Sequence, residues 1–464
     1  MNTNHADRIV DQTLDLLRKK SPDGYEIFMI ESSHFEVESK EGKVDTLQLS
    51  EPWGISLRVL NGGRAGFAYG TSLQAPFQED ANSSLKRLVE DAWASAEATT
   101  GDPSCDFAPP LKDPPPQLPI YDETLPGVSE KRKIEHARLL EEAARSVDVE
   151  RITKVRKASY QEAISKVTLI NSNGLHYSYK VTYATISVMA VAEAGGESEV
   201  GWDFDFSHHF DRINPKKTGV SAGRRALDRL GGRRISSGVF PILLENQVAS
   251  EFLSLLAHAF LSEQVQKGKS NLMGKLGVQY FSPSLSIVDD GLLAEGAGTS
   301  PIDGEGTPSQ RTLLVHDGEI KGYLYDRFWA NRQRCSSPED GVESTGNSMR
   351  HSIKSPPSLG VSNLYIHPGT TPFSSILKSL QKGVFIEEVM GLHTVNPISG
   401  DFSLGCAGQW IEKGEKVHPI KSIAIAGNLY QLFKKVTEVG SDLRFFGRIG
   451  SPSLLIEGLE LSGN

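Results

Sequence analysis

KVTLINSNGLHYSYKVTYATISVMAVAEAG, residues 166–195, is rich in Val, Ile, Thr and Tyr and is interrupted once, by Ser172-Asn173-Gly174. β-branched and aromatic residues suit a pleated, half-buried surface, and Asn-Gly supplies the positive φ of a tight turn. The pattern predicts two antiparallel strands joined at that turn. Upstream lie a helical pattern at about Ser129–Ser146 and a β-prone run, ITKVRKASY; downstream lie VGWDFDFSHHF and another helical pattern at about Lys217–Leu230.

The same order occurs earlier in the chain. Ala6–Lys20 places Ile9, Val10, Leu14, Leu16 and Leu17 at helical spacing. YEIFMIESS, HFEVESKEGKVDTLQL and GISLRVLNGGRAGFAYG follow as strands, the last turning at Asn61-Gly62-Gly63, and a second helix is expected at roughly Glu79–Ala98. Helix followed by meander thus occurs twice, which points to an internal duplication. Between the copies, Gly101–Pro119 contains APPLKDPPPQLP, whose prolines remove donors and stiffen an extended connector.

Beyond about residue 235 the pattern changes. GVFPILLE reads as a buried strand, and EFLSLLAHAFLSEQVQKGKSNLMGK (251–275) as an amphipathic helix with Asn246 as the expected N-cap and a basic, glycine-punctuated exit. After Lys267 the chain is rich in Gly, Pro and strand signals, with a hairpin at LLVHDGEIKGYLYD and one late helix near Asn428–Val439. The expected fold class is α+β in two parts: a mixed domain over residues 1–235, with a candidate internal duplication and the Pro-rich linker at 101–119, and a mainly β domain over residues 236–464.

At 464 residues the chain has ample length for large cores. Its formal net charge of −9 argues against a phosphate backbone as main partner, because nucleic-acid affinity is carried by Lys and Arg. Three cysteines, Cys105, Cys335 and Cys406, are too few and too scattered for a disulfide framework or a Cys-x-x-Cys knuckle, and suit a reducing cytoplasm. The opening MNTNHADRIVDQTLDLLRKK lacks the apolar core of an export signal, and no apolar run is long enough to span a membrane. A soluble cytoplasmic protein is expected.

Several motifs suggest chemistry that their context does not support. Gly219-Val220-Ser221-Ala222-Gly223 matches the G-x-S-x-G nucleophile elbow, but no strand precedes it and a basic helix follows. The glycines of AEGAGTSPIDGEG lack the Lys-Ser/Thr of a phosphate loop. Asp289-Asp290, Asp303 and Glu305 fit no EF-hand spacing and read as surface turns. His208-His209 and Arg350-His351 are short polar pairs that make no site by themselves. Around His258, the residues at helical ligand spacing are Ser254, Leu255, Leu261 and Ser262, and none is a good zinc ligand.

SIVDDG, IDGEGTPSQRTLLVHDGEIKGYLYDR, SPPSLGVSNLYIHPG, NPISGDFSLGCAGQWIEKGE and GSPSLLIEGL occur in this order, and with GISLRVLNGGRAGFAYG and RALDRLGGRRISSGVFPILLE the chain resembles the TldD/TldE (PmbA) family, once called modulators of DNA gyrase. The resemblance covers nearly the whole chain. It implies a PmbA/TldD-like fold and a place in a zinc metalloprotease assembly acting on peptides and unfolded segments. TldD-type members resemble zinc proteases with a His-Glu-x-x-x-His helix, whereas PmbA/TldE-type members lack that motif and pair with them. Anchored on Lys267-Gly268, the motif falls on Leu253-Ser254-Leu255-Leu256-Ala257-His258, so only the last histidine is kept. The cysteine that TldD-type chains carry before their final strand is absent from GSDLRFFGRIGSPSLL, and Cys406 lies well upstream of that interval.

The resemblance therefore implies a non-catalytic, PmbA/TldE-type subunit with no catalytic residue and no metal of its own. Zinc is expected in a TldD-type partner, in a hetero-oligomer or homodimer without nucleic-acid or membrane partners. His258, Asp290, Arg350 and His351 are the substrate-groove candidates. The alternative is a self-sufficient homodimer that binds peptide, or a hydrolase with an unrecognised site.

Overall fold

A computed structural model describes residues 3–71 and 80–463. The first helix, α1 (Thr3–Lys20), buries Ile9, Val10 and Leu17 on one face. Strands β1 (Gly24–Lys40), β2 (Lys43–Ser50), β3 (Trp53–Asn61) and β4 (Arg64–Gly70) follow, then α2 (Asp80–Glu97). Glu79, where the sequence places the start of that helix, lies outside the described residues. The second set is α3 (Glu130–Arg145), β5 (Ile152–Asn171), β6 (His176–Ala194), β7 (Glu197–Ser207) and α4 (Pro215–Asp228).

All seven strands form one antiparallel sheet, in the order β4-β3-β1-β5-β6-β7 with β2 on the far half of β1. The two copies join where β1 pairs with β5 from Glu26↔Asn171 to Ser39↔Ala158. The β5–β6 hairpin turns where the sequence predicts: Gly174 has φ +94°, and Asn171 Oδ1 accepts from the N–H groups of Asn173 (3.0 Å) and Leu175 (3.2 Å).

One face of this sheet carries the helices. Ile27, Met29, Ile55 and Leu57 pack on α1 and α2, and Ala184, Ile186, Val188 and Ala190, alternating along β6, pack on α3 and α4. The two halves use the same contact. A Cβ on Gly66 of β4 would run into the backbone at Ala92 and Ala96 of α2, and one on Gly201 of β7 into Ala222 and Ala226 of α4. The opposite face carries Phe28, Val167 and Leu169, which pack on Ala108, Leu175 and Ile302. The Pro-rich segment is extended, as expected, but it is a packed strap and not a loose linker. Phe107 and Ala108 are buried, and their carbonyls accept from Asn173 Nδ2 and Asn171 Nδ2, each at 2.8 Å.

The rest of the chain contributes β8 (Gly238–Leu244), α5 (Asn246–Ala257), α6 (Ser262–Gln266), β9 (Ile287–Asp290), β10 (Arg311–His316), β11 (Glu319–Ile320), α7 (Arg327–Ser336), β12 (Ser348–Met349), β13 (Ser358–Leu359) and β14 (Leu364–Ile366). It ends with α8 (Phe373–Ser379), β15 (Lys382–Met390), β16 (Asp401–Glu412), β17 (Glu415–Asn428), α9 (Leu429–Lys434), β18 (Val436–Val439), β19 (Arg444–Phe446), β20 (Ile449–Ser451) and β21 (Leu454–Ser462). One six-stranded sheet runs β17-β16-β15-β8-β21-β18, and a further pairing of β17 with β21 closes its first members into a ring. The other runs β11-β10-β9-β14-β20-β19. Helix α5 belongs to the core that both sheets share, with Val248, Ala249, Phe252, Leu253 and Leu256 fully buried. The α+β class expected from the sequence is the one observed, with helices and strands mixed before residue 235 and strands dominant after it.

Three local expectations are corrected. Residues 251–275 are not one helix: α5 stops at Ala257, and the chain crosses a 3-10 turn at His258–Phe260 before α6. The reason is tertiary pairing, since Leu324 N–H donates to Phe260 O (2.9 Å) and Ser262 N–H to Leu324 O (3.0 Å), replacing helical bonds. The N-cap of α5 is Glu245, and Asn246 is its first residue. The late helix covers only Leu429–Lys434, capped by Asn428, because Val436–Val439 pairs with Leu454–Ile456 as a strand.

Candidate functional site

The apolar face of the first sheet and the glycine-rich segment of the C-terminal half enclose a cavity of 190 Å³. Phe28 of β1, Val167 and Leu169 of β5 and Tyr179 and Tyr183 of β6 form one side. Ala297–Gly304, Ser348–Arg350 and Arg448 form the other. The loop is held against the sheet's end by His208, whose Nδ1 lies 2.7 Å from Thr182 O and Nε2 3.1 Å from Gly296 O. A neutral imidazole donates only one of these bonds. His208 is fully buried and serves as a tether between the two halves.

Of the four groove candidates, only Arg350 lines this cavity. Its guanidinium is already engaged: it pairs with Glu26, donates from Nε to Gly304 O (2.7 Å) and lies 4.3 Å from the Phe28 ring centroid. Glu26 faces Arg58 across the β1–β3 ladder, and Arg58 donates to Glu305 at 2.9 Å. Arg350 and Glu305 from one half thus meet Glu26 and Arg58 from the other in a buried network. Burial pulls Arg350 below the ordinary arginine value, although Glu26 opposes the shift. For Arg58, Glu26 and Glu305 together outweigh burial and raise it.

Asp290 is buried at the end of β9, where Oδ1 accepts from Leu292 N–H (2.9 Å) and Arg311 Nε lies 3.8 Å from Oδ2. His258 is exposed just beyond the last turn of α5, and His351 is exposed beyond β12. The structure does not bring these three together at the cavity.

The acidic residues read as surface turns are in fact interior. Asp289, Asp303 and Glu305 are all buried through contacts far apart in sequence: Asp289 accepts from Asn347 Nδ2 (2.7 Å) and Ser362 N–H (2.8 Å) within the C-terminal half, and Glu305 accepts from Arg58 of the first sheet (2.9 Å). Burial, reinforced by Glu305, pushes Asp303 up to about 8 against three backbone N–H donors, from Glu305, Thr307 and Ser348. Burial likewise pushes Asp326, the N-cap of α7, up to about 7 and Asp289 up to about 6.

A zinc ion does not fit the donor set on α5. Leu253 is packed in the core, Ser254 offers a hydroxyl and His258 is a single imidazole. Among the described residues no three or more His, Cys, Asp or Glu are grouped to hold a metal ion. Cys406 is buried in β16 between Val389 and Ile423, where burial pushes its thiol up to about 12, far from the thiolate a metal needs. The G-x-S-x-G match is a helix-packing motif: Cβ atoms on Gly219 and Gly223 would come within 2.5 Å of Leu140 O and 2.6 Å of Ala144 O on α3.

Sequence reading missed Tyr179, Tyr183, Ser348 and Arg448. Tyr179 and Tyr183 alternate on β6 and so share a face, a signal that was legible; what that face meets was not.

Family models described as PmbA/TldA metallopeptidase domain 1, central domain and C-terminal domain match residues 25–96, 123–230 and 237–463. An uncharacterised protein of Methanocaldococcus jannaschii is 30% identical over 93% of this chain and 95% of its own. The metalloprotease PmbA of Escherichia coli O157:H7 is 27% identical over 98% and 95%. The crystal structure of TldE from Thermococcus kodakarensis superposes with a TM-score of 0.86, covering 97% of this chain and all of that one at 21% identity, a likeness of fold.

Proposed function

The chain belongs to the PmbA/TldD metallopeptidase family, and from that premise we propose that it is a PmbA/TldE-type subunit, without catalysis of its own, of a cytoplasmic zinc protease complex. In this reading a TldD-type partner holds the zinc, and this chain shapes the groove that receives peptides and unfolded segments. One observation supports the reading above the others. The helix on which the family's metal motif falls presents Leu253 to the core and Ser254 in place of the general base, so a water-activating set cannot be assembled there. What the chain retains is a cavity between its two halves. Its walls are apolar on the sheet side, with polar groups at the loops, as expected of a surface that orients a peptide. The names of the relatives support the protease assignment; the division of labour is our inference.

The test is to assay the purified chain, a TldD-type relative and their mixture on an unfolded casein-like substrate, with elemental analysis of each. The expected result is no zinc in this chain, little cleavage by either protein alone and chelator-sensitive cleavage by the mixture. About one zinc per chain, lost in His258→Ala, or chelator-sensitive cleavage by this chain alone, overturns the proposal in favour of a self-sufficient hydrolase.

A further inference from the structure

The cavity wall carries polar groups that the fold itself does not use. Ser348 is only 1% exposed, and its Oγ has no hydrogen-bond partner. Tyr179 and Tyr183 line the same space, and among the described residues no hydrogen bond engages either hydroxyl. Arg448 enters from the loop between β19 and β20; its guanidinium meets only Met349 Sδ, at 3.5 Å, and no carboxylate pairs with it among the described residues. Burial raises both phenols, and Arg448 is near enough to pull each of them partly back. Arg350, in contrast, is committed to Glu26. Burial shifts the nearby acid, Asp303, toward its neutral form, which weakens its repulsion of an anion.

A cation and three hydroxyl groups without an anion, beside walls of Phe28, Val167 and Leu169, specify an amphipathic ligand. The volume of 190 Å³ suits the end of a peptide better than a folded segment. We propose that this part of the cavity, where Arg448 lies near Tyr179 and Tyr183, is a carboxylate subsite, in which Arg448 bonds the carboxylate of a peptide whose terminal side chain is apolar, and Tyr179, Tyr183 and Ser348 donate to it. The proposal rests on the peptide-groove reading above and narrows the substrate class to chains that present a carboxylate.

The test uses the full chain and fluorescence anisotropy with an N-terminally labelled alanine peptide ending in leucine. Three forms are compared: the free acid, the C-terminal amide, and an amide in which glutamate replaces the leucine. A charge-assisted guanidinium–carboxylate pair, supported by hydroxyl donors, predicts that the free acid binds roughly tenfold tighter than the leucine amide. Arg448→Gln should erase that difference, Arg448→Lys should keep part of it, and Tyr179→Phe should weaken the acid alone, with unchanged thermal unfolding certifying each variant. If the glutamate amide matches the free acid, the carboxylate chemistry holds and its source is an acidic side chain. Equal binding of acid and leucine amide, or a difference that survives Arg448→Gln, overturns the subsite but leaves the groove. Failure of every form to bind overturns the groove reading with it.

Discussion

At the scale of single residues, the buried network around Arg350 decides what a substitution there can report. Glu26 is 1% exposed and its Oε2 already lacks a partner, so Arg350→Ala would leave a buried carboxylate with only Arg58, 3.4 Å from its other oxygen. Removing one partner of a buried pair destabilises by about 3–5 kcal/mol, and denaturant unfolding of Arg350→Ala should show a loss of that order. A change in substrate affinity without a loss of stability would instead return Arg350 to the binding surface. Asp303 supplies a second prediction. Its folded pKa is raised to about 8, whereas in the unfolded chain it is about 3.9. Between those values the folded state binds the proton that the unfolded state has lost, so this group's contribution to stability is complete at acid pH and declines as pH rises. Asp303→Asn should flatten the decline in urea midpoint between about pH 6 and about pH 8. Little of this was legible in the sequence. Asp303 and Glu305 sit among glycines and prolines, where charged side chains ordinarily face water, and only the sheet of residues 24–207 arriving over them makes them interior.

At the scale of elements, periodicity carried most of the information. The alternation in β6, the turn at Gly174 and the repeated helix-and-meander order were all readable, because each depends on neighbours in sequence. The end of α5 and the strand at Val436–Val439 were not, since both are set by backbone partners far along the chain, Leu324 and Leu454–Ile456. Small residues mark where elements touch. Gly219→Ala would bring its Cβ within 2.5 Å of Leu140 O and 2.7 Å of Ala143 Cβ, forcing α4 away from α3. We expect a loss of about 1–3 kcal/mol in unfolding free energy from that overpacking. Ser221→Ala, two residues along on the less buried side of the same helix, should change stability by no more than about 0.5 kcal/mol and leave the activity of the mixed complex intact. Abolished activity in Ser221→Ala would restore the nucleophile that the packing denies.

At the scale of the molecule, the proposed lack of a zinc site predicts that metal and fold are uncoupled in this chain. Where a structural ion is part of the fold, chelation removes binding free energy and lowers the unfolding midpoint. Here the cores are apolar and continuous, so a chelator should leave the thermal midpoint of the isolated protein unchanged; a drop of several degrees would reveal a metal that the donor set does not provide for. The His208 tether and the Arg350 network join the two halves, so the walls of the cavity move only as far as these two fastenings allow. The closed ring of strands also imposes an order of events during synthesis. Every strand of the first sheet lies before residue 208, so that sheet can assemble while the rest of the chain is still being made. The ring cannot close until residues 454–462 have left the ribosome, because β21 is the strand that pairs with both β8 and β17. Until then the apolar edge of β8, with Ile242, Leu243 and Leu244, stands open, and it is during that interval that the nascent protein most needs a chaperone.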